Sequence, residues 1–240
     1  MSLELYDDNK TYSPAGTPQE VAFIIQTLRL AERARILDLY CGYGRHAIEL
    51  AKSGYCVTGI DATKAFIEIA CQKAAEAGVD ICFEQQDMRE ITYDRQFAAV
   101  INMFAAFGHF SDAENALVLK KVAQALQPGG LLLIDLLNRE LMARSSLTRY
   151  WRHPSGEYVL SYKAELQQGI AKMKREVLNQ NSGKKLRYEF DLRTYSLYEF
   201  TALLQSSGLA VKATYGDFDG SAYTHDSPRL IVLAQKQQGE

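Results

Sequence analysis

Apolar residues in the first half of the chain form short runs, and segments with helical spacing separate these runs. Five runs have the length and composition of buried strands, at 35–40, 55–60, 79–85, 97–102 and 131–137. A helix over 18–31 precedes them, because Thr17-Pro18-Gln19-Glu20 has the form of a capping box before an apolar helical repeat. Further helices are predicted after Gly44, Thr63 and Ser111. This alternation of strands and helices predicts a parallel, doubly wound α/β sheet.

The pattern changes after the fifth run. Between 150 and 194, apolar residues alternate with polar ones, which is typical of half-buried antiparallel strands. A capping box at 196–199 then begins a helix, and two strands follow it. We therefore predict a mostly parallel, seven-stranded, Rossmann-like sheet whose last strand is antiparallel. Residues 1–149 and 195–240 would form this core, and 150–194 a small antiparallel β insert after the fifth strand.

Composition and charge narrow the classes of function. With 240 residues, 47% of them hydrophobic, the chain can bury one good core. A net charge of -2 provides no overall field for a polyanion, so we predict no nucleic-acid partner. No apolar run is long enough to span a bilayer, which predicts a cytoplasmic protein without a membrane partner. The four cysteines form no close pairs, and we predict no metal site.

Candidate ligand-binding residues follow the predicted strands. Ligands of open parallel sheets bind at the carboxyl ends of the strands, where the winding direction reverses. The loops at these ends contain Asp38, Gly42, Gly44, Asp61, Asp87 and Asn102. Glycines let backbone N–H groups approach a ligand closely, at the positive end of the next helix. A carboxylate at position 61 can accept hydrogen bonds from two ribose hydroxyls, so this edge suits an adenosine-type ligand.

Four segments carry a family resemblance. ILDLYCGYGR at 36–45, VTGID at 57–61, QDM at 86–88 and LQPGGL at 126–131 resemble the ordered motifs of class I S-adenosylmethionine-dependent methyltransferases. The resemblance covers residues 17–137 closely and implies S-adenosyl-L-methionine as the cofactor.

The resemblance also implies a role for each matching residue. Asp38 and the loop from Gly42 to Gly44 would hold the methionine part of the cofactor, and Asp61 the ribose hydroxyls. Asp87 and Met88 would contact the adenine, and the segment from Asn102 to Phe104 would lie beside the sulfonium. Tyr40 and Ala62 complete this predicted cofactor-binding set, although Tyr40 stands where many relatives have a glycine.

The acceptor side is less specific in sequence. The loop after the fourth strand lacks the Asn/Asp-Pro-Pro-Tyr/Phe sequence of adenine and glutamine amino methyltransferases, and the insert resembles that of small-molecule N-methyltransferases. We therefore expect in-line methyl transfer to a nitrogen, oxygen or carbon atom of a small molecule. His109 is the candidate general base. Tyr12, Arg139 and Tyr223 are candidate substrate-binding residues.

Three alternatives remain open in the sequence. The glycines with Asp61 also suit an NAD(P)-dependent oxidoreductase, although Asp38 and Asp87 argue against it. An RNA methyltransferase would fit the basic insert, and a non-catalytic cofactor-binding module would preserve the same loop. The apolar face of the insert also needs a cover, which either the core, with the insert as a lid, or a second subunit in a homodimer would provide.

Overall fold

A computed structural model of the protein describes residues 16–144, 147–152 and 158–237. Tyr12 lies outside the described residues. The helices are α1 (Thr17–Leu28), α2 (Arg45–Lys52), α3 (Lys64–Glu76), α4 (Asp112–Ala125), α5 (Arg139–Arg144) and α6 (Leu197–Ser206). The strands are β1 (Arg35–Leu39), β2 (Cys56–Asp61), β3 (Cys82–Gln85), β4 (Phe97–Asn102), β5 (Leu126–Leu137), β6 (Leu147–Arg152), β7 (Tyr158–Gln167), β8 (Ile170–Asn179), β9 (Lys185–Arg193), β10 (Leu209–Tyr215) and β11 (Arg229–Lys236).

The main sheet has seven strands in the order β10-β11-β5-β4-β1-β2-β3. Strands β1 to β5 are parallel to one another, and β11 runs antiparallel between β5 and β10. The predicted fold class is confirmed. Because β1 lies between β2 and β4, the winding direction reverses there, and the carboxyl ends of these strands border the crevice where such sheets bind ligands.

Helices cover both faces of this sheet. Ile36 of β1 packs with apolar residues of α1 and α2 on one face. Its neighbour Leu37 packs with residues of α4 and α6 on the other. Since successive side chains of a strand point to opposite faces, burial of both faces requires the continuous apolar runs seen in the sequence.

The second sheet is antiparallel, in the order β6-β7-β8-β9. One of its faces packs against Ala105, Leu137 and Met142, close to the carboxyl ends of β4 and β5. We call this the inner face; near the core it carries Ala164, Ala171, Met173 and Leu192. On the outer face, lysines and arginines pair with acids across the strands: Lys172 with Asp191, Lys174 with Glu189, and Arg187 with Glu176.

Some local predictions differ from the structure. Helix α1 ends at Leu28 rather than at 31, and its N-cap is Gly16 rather than Thr17, so no side chain caps it. The Thr17 hydroxyl instead accepts a hydrogen bond from Arg45. Strand β3 begins only at Cys82, because its backbone pairs with β2 over just four residues. Helix α5 and strand β6 were not predicted, and β6 starts at Leu147, before the predicted insert begins. The capping boxes at Ser111 and Ser196 are confirmed.

Candidate functional site

The turn from β1 into α2 has a left-handed backbone at three positions. The φ angles of Tyr40, Gly42 and Gly44 are 70°, 57° and 81°. A Cβ added to Gly44 would lie 2.8 Å from the Phe83 ring, whereas one added to Gly42 would meet nothing within 4 Å. Gly44 is therefore required for packing, and Gly42 leaves open space beside the backbone.

Asp61 joins this turn to the end of β2. Its carboxylate accepts hydrogen bonds from the N–H of Gly42 (3.0 Å) and the N–H of Thr63 (2.8 Å). Burial raises the pKa of Asp61, although these backbone hydrogen bonds oppose the shift. The glycine turn and the carboxylate predicted to serve the same ligand thus lie side by side.

A cavity of about 230 Å³ opens next to Asp61. It is lined by Tyr40, Ile60, Asp61, Ala62, Gln86, Asp87, Met88, His109 and Phe110. Six of these residues were predicted from the sequence, while Ile60, Gln86 and Phe110 were not. Hydrogen bonds from Arg89 to both carboxylate oxygens lower the pKa of Asp87 and keep its carboxylate ionised.

His109 lies in the wall of this cavity. Its ring stacks on Tyr40, with centroids 5.4 Å apart, and lies 6.1 Å from the Phe190 ring of the insert. Burial lowers the pKa of His109, so the imidazole is neutral at pH 7. A neutral imidazole can accept a proton.

The loop after β4 borders the same edge of the sheet. Asn102 is buried and donates its amide N–H to the Leu39 carbonyl at 2.8 Å. Phe104 and Ala105 both have positive φ angles, 68° and 55°. The Asp135 carboxylate accepts a hydrogen bond from the Phe104 N–H at 2.8 Å and holds this unusual backbone in place.

Comparisons with known proteins agree with this geometry. A family model described as a methyltransferase domain matches residues 36–130. YqeM of Bacillus subtilis (strain 168), which is assigned to the methyltransferases, is 30% identical over 87% of each chain. The chain belongs to the class I S-adenosylmethionine-dependent methyltransferases. It is therefore an enzyme whose cofactor is S-adenosylmethionine, and the nicotinamide-dependent alternative is wrong.

Two further proteins show how far the similarity extends. The glycine/sarcosine N-methyltransferase of Aphanothece halophytica is 27% identical over 92% of this chain and 83% of its own. The S-adenosylmethionine-bound structure of CalS10, an amino pentose methyltransferase from Micromonospora echinaspora, superposes with a TM-score of 0.73. That superposition covers 98% of this chain and 96% of CalS10 at 18% identity, and shows that the two share a fold.

A buried carboxylate in the methyltransferase fits the cofactor's ammonium group. Asp38 is 2% exposed, and its Oδ2 atom has no hydrogen-bond partner in the described part of the chain. Burial raises the pKa of Asp38 to about 7, although the charge of Arg45 opposes the shift. A cationic group placed beside this oxygen would supply the missing partner.

Helix α1 is held against the glycine turn by three charged or polar residues. These contacts were not predicted from the sequence. Glu20 accepts hydrogen bonds from Arg45 and, at 2.7 Å, from His46. Burial alone would raise the pKa of Glu20, but these two partners lower it to about 2. Burial lowers the pKa of His46 to about 4, so this histidine is neutral. The predicted capping box assigned the Glu20 carboxylate to the start of its own helix. The contacts with Arg45 and His46 were therefore not predicted.

A second set of contacts that was not predicted from the sequence involves Phe104. Two guanidinium groups lie over its ring, with the Arg45 carbon 4.7 Å and the Arg229 carbon 5.0 Å from the ring centroid. Arg229 also donates to the buried Asp135 carboxylate at 2.6 Å. Asp135 and Arg229 are 94 positions apart in the sequence. They come together only because β5 pairs with β11.

Two predicted acceptor residues lie outside the cavity that holds His109. Arg139 forms an ion pair with Glu199 at the start of α6. Tyr223 donates its hydroxyl hydrogen to Asn138 Oδ1 at 3.0 Å. Tyr223 lines a separate cavity of about 450 Å³ together with Glu140, Ser196, Leu197, Tyr198, Thr201 and His225.

In the part of the chain that the structure describes, no helix is both long and apolar enough to cross a membrane.

Proposed function

We propose that this methyltransferase acts on a small-molecule acceptor held between the loop after β4 and the inner face of the insert. One observation carries the proposal: Phe190 of the insert reaches His109, which lines the same cavity as Asp61 and Asp87. The insert therefore meets the cavity wall at the carboxyl edge of the sheet. This arrangement favours the lid interpretation, and a homodimer through the insert remains a prediction.

The cofactor-binding assignments form one part of the proposal. Asp61 and Ala62 would contact the ribose, Asp87 and Met88 the adenine, and Asp38 the ammonium of the methionine part. The Gly42 to Gly44 turn would present N–H groups, Tyr40 would cover the nucleoside, and Asn102 to Phe104 would lie beside the sulfonium. The cavity lining and the orphaned Asp38 oxygen support these roles.

Positioning is the main task of the protein in this reaction. S-adenosylmethionine supplies a methyl group activated by a positively charged sulfur. Because displacement at this carbon is in line, acceleration comes from holding the acceptor atom opposite the leaving sulfur in a dry site. Asp135 and Arg229 would fix the Phe104 loop, and the inner face of the insert would exclude water.

His109 is proposed as the general base. An amine acceptor must lose its proton before it attacks, and a hydroxyl benefits from proton removal. The neutral imidazole of His109 would accept that proton at a ring nitrogen. Its position between Tyr40 and Phe190 supports this role, since these rings hold the imidazole at the boundary between core and insert.

The class of acceptor is supported by the relatives and by the charges of the insert. The named relatives act on glycine, sarcosine and an amino pentose. Basic residues on the outer face, such as Lys174 and Arg187, are paired with acids across the strands and do not form an uncompensated basic surface for RNA. Tyr12 and Tyr223 remain proposed acceptor contacts, as does Arg139 despite its ion pair with Glu199.

Binding of S-adenosylhomocysteine tests the cofactor assignments. In isothermal titration calorimetry we expect Asp61→Ala to weaken binding by about tenfold or more, because two hydrogen bonds to a charged acceptor are lost. The exposed Asp94→Asn is the matched control and should bind like the wild type. Equal affinity of Asp61→Ala and wild type would contradict the assignment.

Radiolabelled cofactor tests the acceptor class. The enzyme is incubated with S-adenosylmethionine labelled in its methyl group and with a metabolite extract or total RNA. We expect label to enter the small-molecule fraction and to remain absent from RNA. Label recovered in RNA alone would overturn the small-molecule proposal.

A further inference from the structure

Arg45 is the first residue of α2 and directly follows the glycine turn. Its guanidinium carbon lies 4.7 Å from the centroid of the Phe104 ring, in the loop after β4. At one end of the guanidinium, Nη1 donates to the Thr17 hydroxyl at 3.0 Å and to the Glu20 carboxylate, both in α1. These contacts hold the group where α1, the glycine turn and the Phe104 loop meet.

The other end of this guanidinium is a donor without an acceptor. The Nη2 atom of Arg45 is shielded from solvent and has no hydrogen-bond partner in the part of the chain that the structure describes. The ion pair with Glu20 uses Nη1, so the two N–H groups of Nη2 remain available. A guanidinium stays charged at physiological pH, and a buried donor that lacks an acceptor costs free energy.

A buried acceptor without a donor interacts with the same charge. The Oδ2 atom of Asp38 has no hydrogen-bond partner among the described residues, and therefore none in Arg45. Burial raises the pKa of Asp38, and the charge of Arg45 opposes this shift, so the two groups are close enough to interact electrostatically. A ligand that carries a donor and an acceptor on neighbouring atoms would satisfy both Oδ2 and Nη2.

The backbone of the glycine turn has few donors left for such a ligand. The Gly42 N–H donates to Asp61, and the Gly44 N–H donates to the Cys41 carbonyl at 3.0 Å. A carboxylate has lone pairs for about four hydrogen bonds. A ligand carboxylate at this position therefore needs donors besides these two N–H groups, and Nη2 of Arg45 supplies them.

We infer that Arg45 binds the α-carboxylate of the cofactor's methionine part through Nη2, while Asp38 binds the ammonium on the same carbon atom. The inference rests on the proposed function, which places that ammonium at Asp38. Hydrogen bonds between a guanidinium and a carboxylate are about twice as strong as those between neutral groups. A zwitterion also adds one charge of each sign, so it leaves the charge balance of this buried region unchanged. Arg45 then selects S-adenosylmethionine over adenosyl sulfur compounds that lack the carboxylate.

Analogues that lack charged groups test the inference in the full-length protein. S-adenosyl-3-thiopropylamine differs from S-adenosylhomocysteine only in lacking the α-carboxylate, and 5′-methylthioadenosine lacks both the carboxylate and the ammonium. Isothermal titration calorimetry measures the affinity for each compound. We expect the wild type to bind S-adenosylhomocysteine about tenfold or more tightly than the thiopropylamine. Arg45→Met should reduce this preference below about threefold, and Arg45→Lys should retain part of it, because its ammonium still pairs with a carboxylate.

Two controls separate carboxylate binding from a loss of structure. Glu20→Gln removes the ion pair with α1 but keeps Nη2, so it should keep the preference for the carboxylate. Arg45→Met should bind 5′-methylthioadenosine as the wild type does. If it binds none of the three compounds, Arg45→Gln takes its place with the same expected reduction.

Three results would overturn the inference. They are equal binding of S-adenosylhomocysteine and the thiopropylamine by the wild type, an unchanged preference in the Arg45 variants, and a loss of preference in Glu20→Gln as large as in Arg45→Met. Failure of the wild type to bind S-adenosylhomocysteine would instead contradict the proposed cofactor site.

Discussion

In the proposed site, the carboxyl edge of the parallel sheet and the inner face of the insert form two halves, which are built from different contacts. At the sheet edge, backbone N–H groups and buried carboxylates set the geometry, as in the hydrogen bond from Gly42 to Asp61. On the insert, side chains of antiparallel strands form the surface, as in the approach of Phe190 to His109. The geometry of the sheet edge is suited to one ligand, the cofactor. The acceptor specificity of the insert surface can change when its side chains change. We therefore expect mutations at the sheet edge to affect folding and cofactor binding, and mutations facing the insert to affect turnover and acceptor choice.

The largest expected effect is on turnover at the boundary of the two halves. His109→Gln should lower kcat by about 10²- to 10⁴-fold while S-adenosylhomocysteine binding changes little, because general-base catalysis contributes a factor of this size. Burial lowers the pKa of His109, so wild-type kcat should fall only as the pH drops below about 6.5.

Steady-state kinetics at saturating cofactor, with an acceptor identified from the labelled extract, measure this effect. His109→Gln should lack the acidic limb of the kcat profile. If the variant keeps both the limb and most of its kcat, His109 is not the base.

The next largest expected effect is a loss of stability from a mutation that changes the sheet edge alone. Arg229→Met leaves the Asp135 carboxylate buried without its ionic partner, and should lower the free energy of unfolding by about 3–5 kcal/mol. Urea denaturation measures the change. The loss should shrink as the pH falls, because burial raises the pKa of Asp135 and its protonated form needs no counter-charge.

The double variant Asp135→Asn with Arg229→Met is the control for this prediction. It should recover much of the lost stability, because no uncompensated charge remains. A loss below about 1 kcal/mol in Arg229→Met would show that this ion pair does not hold the Phe104 loop.

A pair of glycine variants separates packing from ligand approach within the turn. Gly44→Ala should lower the free energy of unfolding by about 2–4 kcal/mol, since its Cβ meets the Phe83 ring and its φ is left-handed. Gly42→Ala should cost only about 1–2 kcal/mol, because only the left-handed φ opposes it. Instead, it should weaken S-adenosylhomocysteine binding about tenfold by filling the open space. Similar stability losses for both variants would contradict this division.

The smallest effect is a pH dependence of cofactor binding. The pKa of Asp38 is raised to about 7, so the carboxyl is protonated below that pH and must ionise to pair with an ammonium. Affinity for S-adenosylhomocysteine should therefore rise with pH up to about 7, by at most tenfold per pH unit, and level off above it. Calorimetry from pH 5.5 to 8 measures this. Asp38→Asn should bind more weakly, with a flatter profile, and a flat wild-type profile would argue against the contact.

The same shift has an opposite consequence for the ligand-free protein. Because the folded state keeps the Asp38 proton to a higher pH than the unfolded chain, this group contributes stability that is lost as the pH rises from about 3.8 to about 7. Ligand binding should offset this loss.

Parts of the site that depend on local pattern were predictable from the sequence. Asp61 ends one strand, and the glycines follow another. Both strands have clear apolar runs, and parallel strands bring their carboxyl ends to the same edge of the sheet. Arg139 and Tyr223 lie outside the cavity that holds His109, because position after a strand does not show where a side chain points. Glu20 was misread, because a capping box and a buried ion pair use the same carboxylate.

The sequence by itself determined the order of strands and helices, the family of the protein and the candidate cofactor residues, since these depend on local periodicity and on motifs of a few residues. The tertiary structure decided which distant residues meet: Arg229 with Asp135, Glu20 with His46, and Phe190 with His109. Local propensity carries no information about such pairs. They arise only when strands far apart in the chain pair in one register, and burial then forces each charged group to find a partner.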